Sequence, residues 1–315
     1  MNSVRSSSSS TGAQSKRQST QLAHRPVASA RARFWRGVWV ALKRRPSRLA
    51  GLVIVALFIF MAVAGPWFYP ERLPYNVDNV YAPISWEHPL STDFEGVDVL
   101  ALVITGTRGV LLVAAAAGLV TMFVGTAAGL YAGYRRGGAD SVLMRIADFV
   151  LTIPGFPLLI VLTTAINVGT WWKMALVLGL IGWGGLARAV RSQTLSLRER
   201  GFIEAARGLG LSTRHIVAKE ILPNIAPYIA TNLLLAVTAY IYAQVGLYFL
   251  GVLPLDTSNW GVMLNAAVFQ SGALISPDAL PYLLAPLGAI LLLTLGVVLL
   301  VDALEEIFNP RLREG

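Results

Sequence analysis

The chain contains no cysteine, four lysines, three histidines and few charges of either sign. Without thiols there are no disulfides, thiolate metal sites or cysteine nucleophiles. His24, His88 and His215 are scattered and make no metal cluster. Charged residues are 14% of the 315, against about 25% in an ordinary soluble domain. None of Lys16, Lys43, Lys173 and Lys219 follows a glycine, so the G-x-x-x-x-G-K loop that cradles nucleotide phosphates is missing. If ATP drives this protein, another chain must hydrolyse it. Ionisable residues deep in the apolar runs are also nearly missing, whereas proton- and sodium-coupled carriers need them near the midplane. No catalytic set is visible. These absences point away from a self-sufficient enzyme or carrier and toward an externally powered pore.

What is present is apolar length. Hydrophobic residues make up 55% of the chain, gathered in runs of roughly 20, enough to cross a bilayer as a helix. Six such runs are expected as transmembrane helices: 49–68, 109–133, 142–166, 174–190, 226–250 and 282–301. The fold class is therefore all-α, a polytopic membrane protein. The net charge of +9 lies in the N-terminal tail and in alternate loops, as the positive-inside rule expects, and not in a nucleic-acid-binding patch.

Residues 1–33 are rich in Ser, Gln, Ala and Arg and cannot bury a core, so they read as a disordered basic tail. Met1 to Arg48 holds eleven Lys/Arg and no acid, which places this end in the cytoplasm. Phe34, Trp35, Val38, Trp39 and Leu42 repeat at helical spacing. Residues 34–48 thus read as an interfacial amphipathic helix or an extension of the first span. Ala62-Val63-Ala64 mimics a signal-peptide cleavage site, but the apolar run before it is too long, so the span is read as uncleaved. The outer loop 70–104 carries Glu71, Asp78, Glu87, Asp93, Glu95 and Asp98 against Arg72, a net −5. Helix capping by Thr92 or Asp93 is expected there. The second span is rich in Ala and Gly and should be buried among other helices. Arg145 and Asp148 are spaced to pair on one face, and Ile153-Pro154-Gly155-Phe156-Pro157 should kink or break the third span. The permease core is expected over 105–305, with residues 306–315 a cytoplasmic tail.

Between the fourth and fifth spans, residues 188–220 carry seven Lys/Arg and three Glu. Glu204-Ala205-Ala206-Arg207-Gly208-Leu209-Gly210-Leu211-Ser212 suits a short helix and a sharp turn. Gly210 sits where glycine ends a helix, Ser212 or Thr213 can cap the next one, and Pro223 should mark a further break. With Ile221-Leu222-Pro223-Asn224 about ten residues on, the stretch resembles the signature loop of the membrane subunits of binding-protein-dependent ABC importers. His88-Pro89-Leu90-Ser91-Thr92-Asp93 with Asp98-Val99-Leu100 is similar to the H-P-L-G-T-D-x-x-G-R-D-V-L segment of the dipeptide, oligopeptide and nickel branch, with Ser91 for a Gly and Val97 for an Arg. Gly133-Tyr134-Arg135-Arg136-Gly137-Gly138-Ala139-Asp140 resembles that family's G-Y-x-G-G-x-x-D. Asn309-Pro310-Arg311-Leu312-Arg313 resembles its D-P-R-L-R end. The resemblance implies the type I ABC importer permease fold, with the loop 198–223 coupling the spans to an ATP-hydrolysing subunit. It also implies a second permease subunit, two ATP-binding subunits that hold ATP and Mg2+, and an extracytoplasmic solute-binding protein. No cofactor is expected in this chain.

Asn232, Ala236, Tyr240, Gln244 and Tyr248 recur every four residues along one face of the fifth span. Such a polar and aromatic stripe suits either a substrate pathway or hydrogen bonding between helices. Where relatives read E-A-S-L-S-F-L-G, this chain reads Gln244-Val245-Gly246-Leu247-Tyr248-Phe249-Leu250-Gly251. A neutral passage fits oligosaccharides as well as peptides, so the expected solute is an oligopeptide or dipeptide, with oligosaccharides as the alternative. An ion-coupled carrier and a membrane anchor are the readings from other classes.

Overall fold

The computed structural model describes residues 45–70, 73–255 and 258–308. The N-terminal tail, most of the interfacial helix expected over 34–48, Arg72, and the Asn309 to Arg313 end lie outside these residues. Nine helices are described: α1 Pro46–Phe68, α2 Val99–Arg135, α3 Gly138–Thr152, α4 Gly155–Ala165, α5 Trp171–Arg198, α6 Gly201–Gly208, α7 Thr213–Phe249, α8 Trp260–Phe269 and α9 Leu280–Phe308. Single 3₁₀ turns occur at Val77–Asn79 and Pro277–Ala279. Helices α1, α2, α5, α7 and α9 are each long and apolar enough to span a bilayer, and the bent pair α3–α4 brings the count to six. No strand occurs among the described residues, only an isolated bridge between Thr92 and Asp98.

Helices α2 and α5 form the central pair. Their backbones approach closely because glycine removes side chains at the crossing. A Cβ added at Gly129 would lie 2.5 Å from the Ala187 carbonyl oxygen, and one at Gly179 would lie 2.6 Å from the Val120 Cβ. Around this pair, α1, α7, α8 and α9 close a core that includes Phe58, Val110, Ile241, Trp260 and Leu293.

Several elements differ from what the sequence suggests. The helix cap at the start of α2 is Asp98, whose carboxylate accepts from the Ala101 N–H at 2.9 Å, and α2 begins ten residues before its expected start. Thr92 and Asp93 instead close the preceding loop. Asp93 accepts from the Glu95 and Val97 N–H groups at 2.9 and 2.8 Å, while Thr92 accepts from the Ala82 N–H and donates to the Asn79 carbonyl. Burial pushes the Asp93 carboxyl above its ordinary value, against the opposing pull of those N–H donors. The third span breaks outright. α3 and α4 meet at 92°, because Pro154 disfavours helical backbone at Ile153 and offers no N–H. Asp148 pairs with Arg188 of α5 at 3.3 Å, not with Arg145. A basic residue N-terminal to an acidic one is the weaker order for a pair within a helix, so the neighbouring helix supplies the better partner.

Two further differences concern the last third of the chain. Pro223 does not end a helix. The preceding residues Ile216–Ile221 widen into a π turn, and α7 continues through it to Phe249. The wide turn accommodates a position where proline cannot donate to the carbonyl four residues back. The expected second short helix of the coupling loop is therefore the beginning of the fifth span itself. The segment 251–281, which lies between the fifth and sixth expected spans, contains α8. Its Trp260 is fully buried, donates its indole N–H to the Val103 carbonyl at 3.0 Å, and meets Phe58 edge-on at 5.7 Å. Arg48 at the start of α1 is ion-paired with Glu306 of α9, both largely buried.

Candidate functional site

Helix α6 is amphipathic over only eight residues. Ile203 and Ala206 point inward, 0% and 6% exposed, onto a cluster with Leu130, Val190, Ile216, Ile221 and Ile225. Glu204, Ala205, Arg207, Gly208, Leu209, Gly210, Leu211 and Ser212 all face outward. Glu204 lies in the first turn, where a carboxylate complements the exposed N–H groups of the helix start.

The helix ends in a Schellman motif. The Leu211 N–H donates to the Ala206 carbonyl at 3.2 Å and the Gly210 N–H to the Arg207 carbonyl at 2.9 Å. Gly210 adopts φ +73°, the left-handed region that favours glycine. Nothing lies within 4 Å of where its Cβ would be, so that backbone conformation, not crowding, selects glycine there. Ser212 then caps α7, its hydroxyl accepting from the His215 N–H at 3.3 Å. The turn presents Leu209, 79% exposed, beside exposed Leu211, with Phe202 exposed at the other end of α6. Phe202 did not emerge from the sequence, where only its place in a short apolar pair with Ile203 marks it; its exposure makes it part of the presented surface.

The end of α6 is tied to the α2–α3 corner. Arg207 lies over the Tyr134 ring at 5.5 Å and Arg198 at 5.7 Å, and Arg198 also donates to the Tyr134 carbonyl at 2.7 Å. Arg136 binds Glu199 at 2.5 Å.

The four polar positions on α7 separate. Tyr240 is buried and its hydroxyl contacts Thr121 of α2 at 2.5 Å, while Thr121 donates to the Gly179 carbonyl of α5 at 3.0 Å. Gln244 is fully buried and donates to the Val110 carbonyl of α2 at 2.7 Å. Asn232 is half-buried and donates to Tyr228 within its own helix at 2.9 Å; Tyr248 is half-buried beside Gly261 of α8. Among the described residues there is no group of three His, Cys, Asp or Glu placed to hold a metal.

Residues 125–314 match the family described as the binding-protein-dependent transport system inner membrane component. The chain belongs to this family. Residues 33–84 match a second description, the N-terminal transmembrane domain of oligopeptide transport permease C. This inner membrane component is 34% identical over 268 residues to a putative peptide permease protein of Brucella suis, covering 83% of this chain and 86% of that one. It is 32% identical over 285 residues to the oligopeptide transport system permease protein OppC of Haemophilus influenzae, covering 88% and 89%. It is 30% identical over 290 residues to the dipeptide transport system permease protein DppC of Bacillus subtilis, covering 89% and 87%. The family match takes in α6 with its turn and the helices from the end of α2 onward, and the all-helical architecture, with five or six candidate spans among the described residues, agrees with the type I ABC importer permease fold.

Proposed function

We propose that this permease imports oligopeptides or dipeptides across the cytoplasmic membrane as one of two permease subunits. The complex contains two ATP-binding subunits, which hold ATP and Mg2+, and one of them docks on α6 from the cytoplasm. A solute-binding protein delivers the peptide from outside, and both chain termini lie in the cytoplasm. The observation that carries this is the surface of α6 and its turn. Leu209 and Leu211 are exposed apolar side chains at the hydrogen-bonded Schellman turn and Phe202 is exposed at the start of α6, the kind of projecting apolar surface that marks a protein contact. Glu204, Ala205, Arg207, Gly208 and Ser212 surround them. Closure of the ATP-binding subunits moves α6, and the continuous rod of α7 carries that motion into the membrane.

The peptide assignment rests on the names of the relatives. The sequence argument for oligosaccharides leaned on Gln244, which here hydrogen-bonds to the backbone of α2 and so loses its force as a sign of a neutral passage. Asn232 and Tyr248 remain candidates for lining the pathway, while Tyr240 and Gln244 support the helix that carries them.

The deciding experiment is ATP hydrolysis by the complex reconstituted with its cognate binding protein. Peptides stimulate it and oligosaccharides do not. Stimulation by oligosaccharides alone would overturn the substrate class, and failure of any ATP-binding subunit to assemble with this chain would overturn the importer reading itself.

A further inference from the structure

We propose that Tyr134 is a positioning residue of the transport cycle, the contact through which α6 moves α2. This rests on the docking role assigned to α6 above.

Tyr134 sits in the last turn of α2, next to the corner that leads to α3. Its ring faces two guanidinium groups on different elements: Arg207 of α6 at 5.5 Å and Arg198 at the end of α5 at 5.7 Å. A cation over an aromatic ring is drawn to the negative face of its π system, and the attraction depends on the ring, not merely on apolar bulk. The same ring packs against the apolar cluster that receives Ile203 and Ala206 of α6. Tyr134 therefore joins α6, which among the described residues touches the central pair only here and through the apolar cluster below it, to the ends of both α2 and α5.

The surrounding bonds make the corner stiff enough to transmit a push. Arg198 donates to the Tyr134 carbonyl at 2.7 Å, Arg136 binds Glu199 at 2.5 Å, and Arg191 binds Asp140 through two bonds. These ties run from α5 to the α2–α3 corner. Among them, only the Tyr134 ring also reaches α6. A displacement of α6 by a docked partner thus reaches α2 through Arg207 and Tyr134 as well as through the chain into α7. Since α2 packs along the length of α5, moving its end moves the central pair.

A ring that merely fills space would be replaceable by leucine; a ring that holds two cations would not. The phenol hydroxyl takes no part in these contacts, so phenylalanine keeps them. The test uses the full complex in lipid vesicles, comparing wild type with Tyr134→Phe and Tyr134→Leu. The readouts are binding of the ATP-binding subunits, basal ATP hydrolysis, and its stimulation by binding protein and peptide. Each cation–π contact at an accessible site shifts an equilibrium by about two- to fivefold, so losing both lowers the stimulation by roughly tenfold. Tyr134→Phe keeps full stimulation. Tyr134→Leu keeps subunit binding and basal hydrolysis but loses stimulation. Equal stimulation of the Leu and Phe variants would overturn the positioning role and leave the docking role standing. A wild-type chain that binds no ATP-binding subunit would overturn both. Should Tyr134→Leu fail to assemble, Tyr134→Met replaces it, read by the same comparison with Phe.

Discussion

Arg191 of α5 donates two hydrogen bonds to the Asp140 carboxylate of α3, at 2.5 and 2.7 Å, across 51 positions of chain. The guanidinium fork matches the two carboxylate oxygens, a geometry that an ammonium cannot reproduce. Asp140 is largely buried, so breaking the pair leaves a charge poorly solvated. Arg191→Lys is therefore expected to destabilise the protein by about 1–2 kcal/mol, and Asp140→Ala by about 2–4 kcal/mol. Thermal unfolding in detergent checks both. An Arg191→Lys variant as stable as wild type would show that one point charge suffices.

At Gly210 the cost of substitution is conformational. Because φ is +73° and the space beside it is open, Gly210→Asn should cost under about 1 kcal/mol and Gly210→Val about 2 kcal/mol. The Val variant is expected to remain in the membrane, with the Schellman turn lost and solute uptake abolished, while the Asn variant retains uptake. Uptake into whole cells, with membrane levels measured alongside, separates the two. Loss of membrane insertion by the Val variant would make the turn a folding element instead.

Gly182 lies where α5 passes Tyr240. A Cβ there would fall 1.9 Å from the Tyr240 hydroxyl oxygen. Gly182→Ala should displace the ring, break the Tyr240–Thr121 contact and destabilise by about 1–3 kcal/mol. Tyr240→Phe in the same chain removes the clashing oxygen and should restore part of the loss. Additive melting-temperature shifts from the two changes would contradict the contact.

The Asp93 carboxyl is held above its ordinary pKa of 3.8 by burial. A folded value raised above the unfolded one means that the folded state holds the proton more tightly. The associated stability is present below the unfolded value and is lost as pH rises through the folded one. Asp93→Asn keeps an acceptor for the Glu95 and Val97 N–H groups without the buried charge. It should be neutral or stabilising at pH 7 and flatten the acid side of the stability profile, whereas Asp93→Ala destabilises by about 1–2 kcal/mol. Thermal melts taken from below the ordinary value of 3.8 upward test the sign: wild type should lose stability relative to Asp93→Asn as pH rises, and parallel profiles would contradict the raised carboxyl.

Removing the Trp260 ring should be costly. Trp260→Ala vacates a fully buried site and removes the indole hydrogen bond to the Val103 carbonyl, for an expected loss of about 3–5 kcal/mol. Protease cleavage within 251–281 should become faster than in wild type as α8 detaches. An unchanged cleavage rate would mean that α8 is held by its other contacts.

The spans were legible because lipid demands long apolar helices, and 49–68 and 226–250 match α1 and the end of α7 within a few residues. The turn after α6 was legible because Gly210 and Ser212 act within a few residues of themselves. What escaped depends on distant partners. Helix α8 has ten residues, too few to register as a span, and its identity rests on Val103 and Phe58, far off in the chain. The choice of Asp98 over Thr92 or Asp93 as helix cap depends on where the loop folds back on Asn79 and Ala82. Asp148 turned from Arg145 because α5 lies alongside. The stripe on α7 was visible as a pattern, but only the position of α2 shows that Tyr240 and Gln244 face a neighbouring helix.

The glycines of α2 at 125, 129 and 133 repeat every four residues against Leu186, Ala187, Val190 and Thr194 of α5. This spacing meshes the two backbones like a rack. A lengthwise slip of less than one turn, about 5.4 Å, would drive side chains of one helix into the backbone of the other. Rolling the pair as one body costs no such collision. Helices α2 and α5 thus make a spindle that the rest of the protein can turn but not shear.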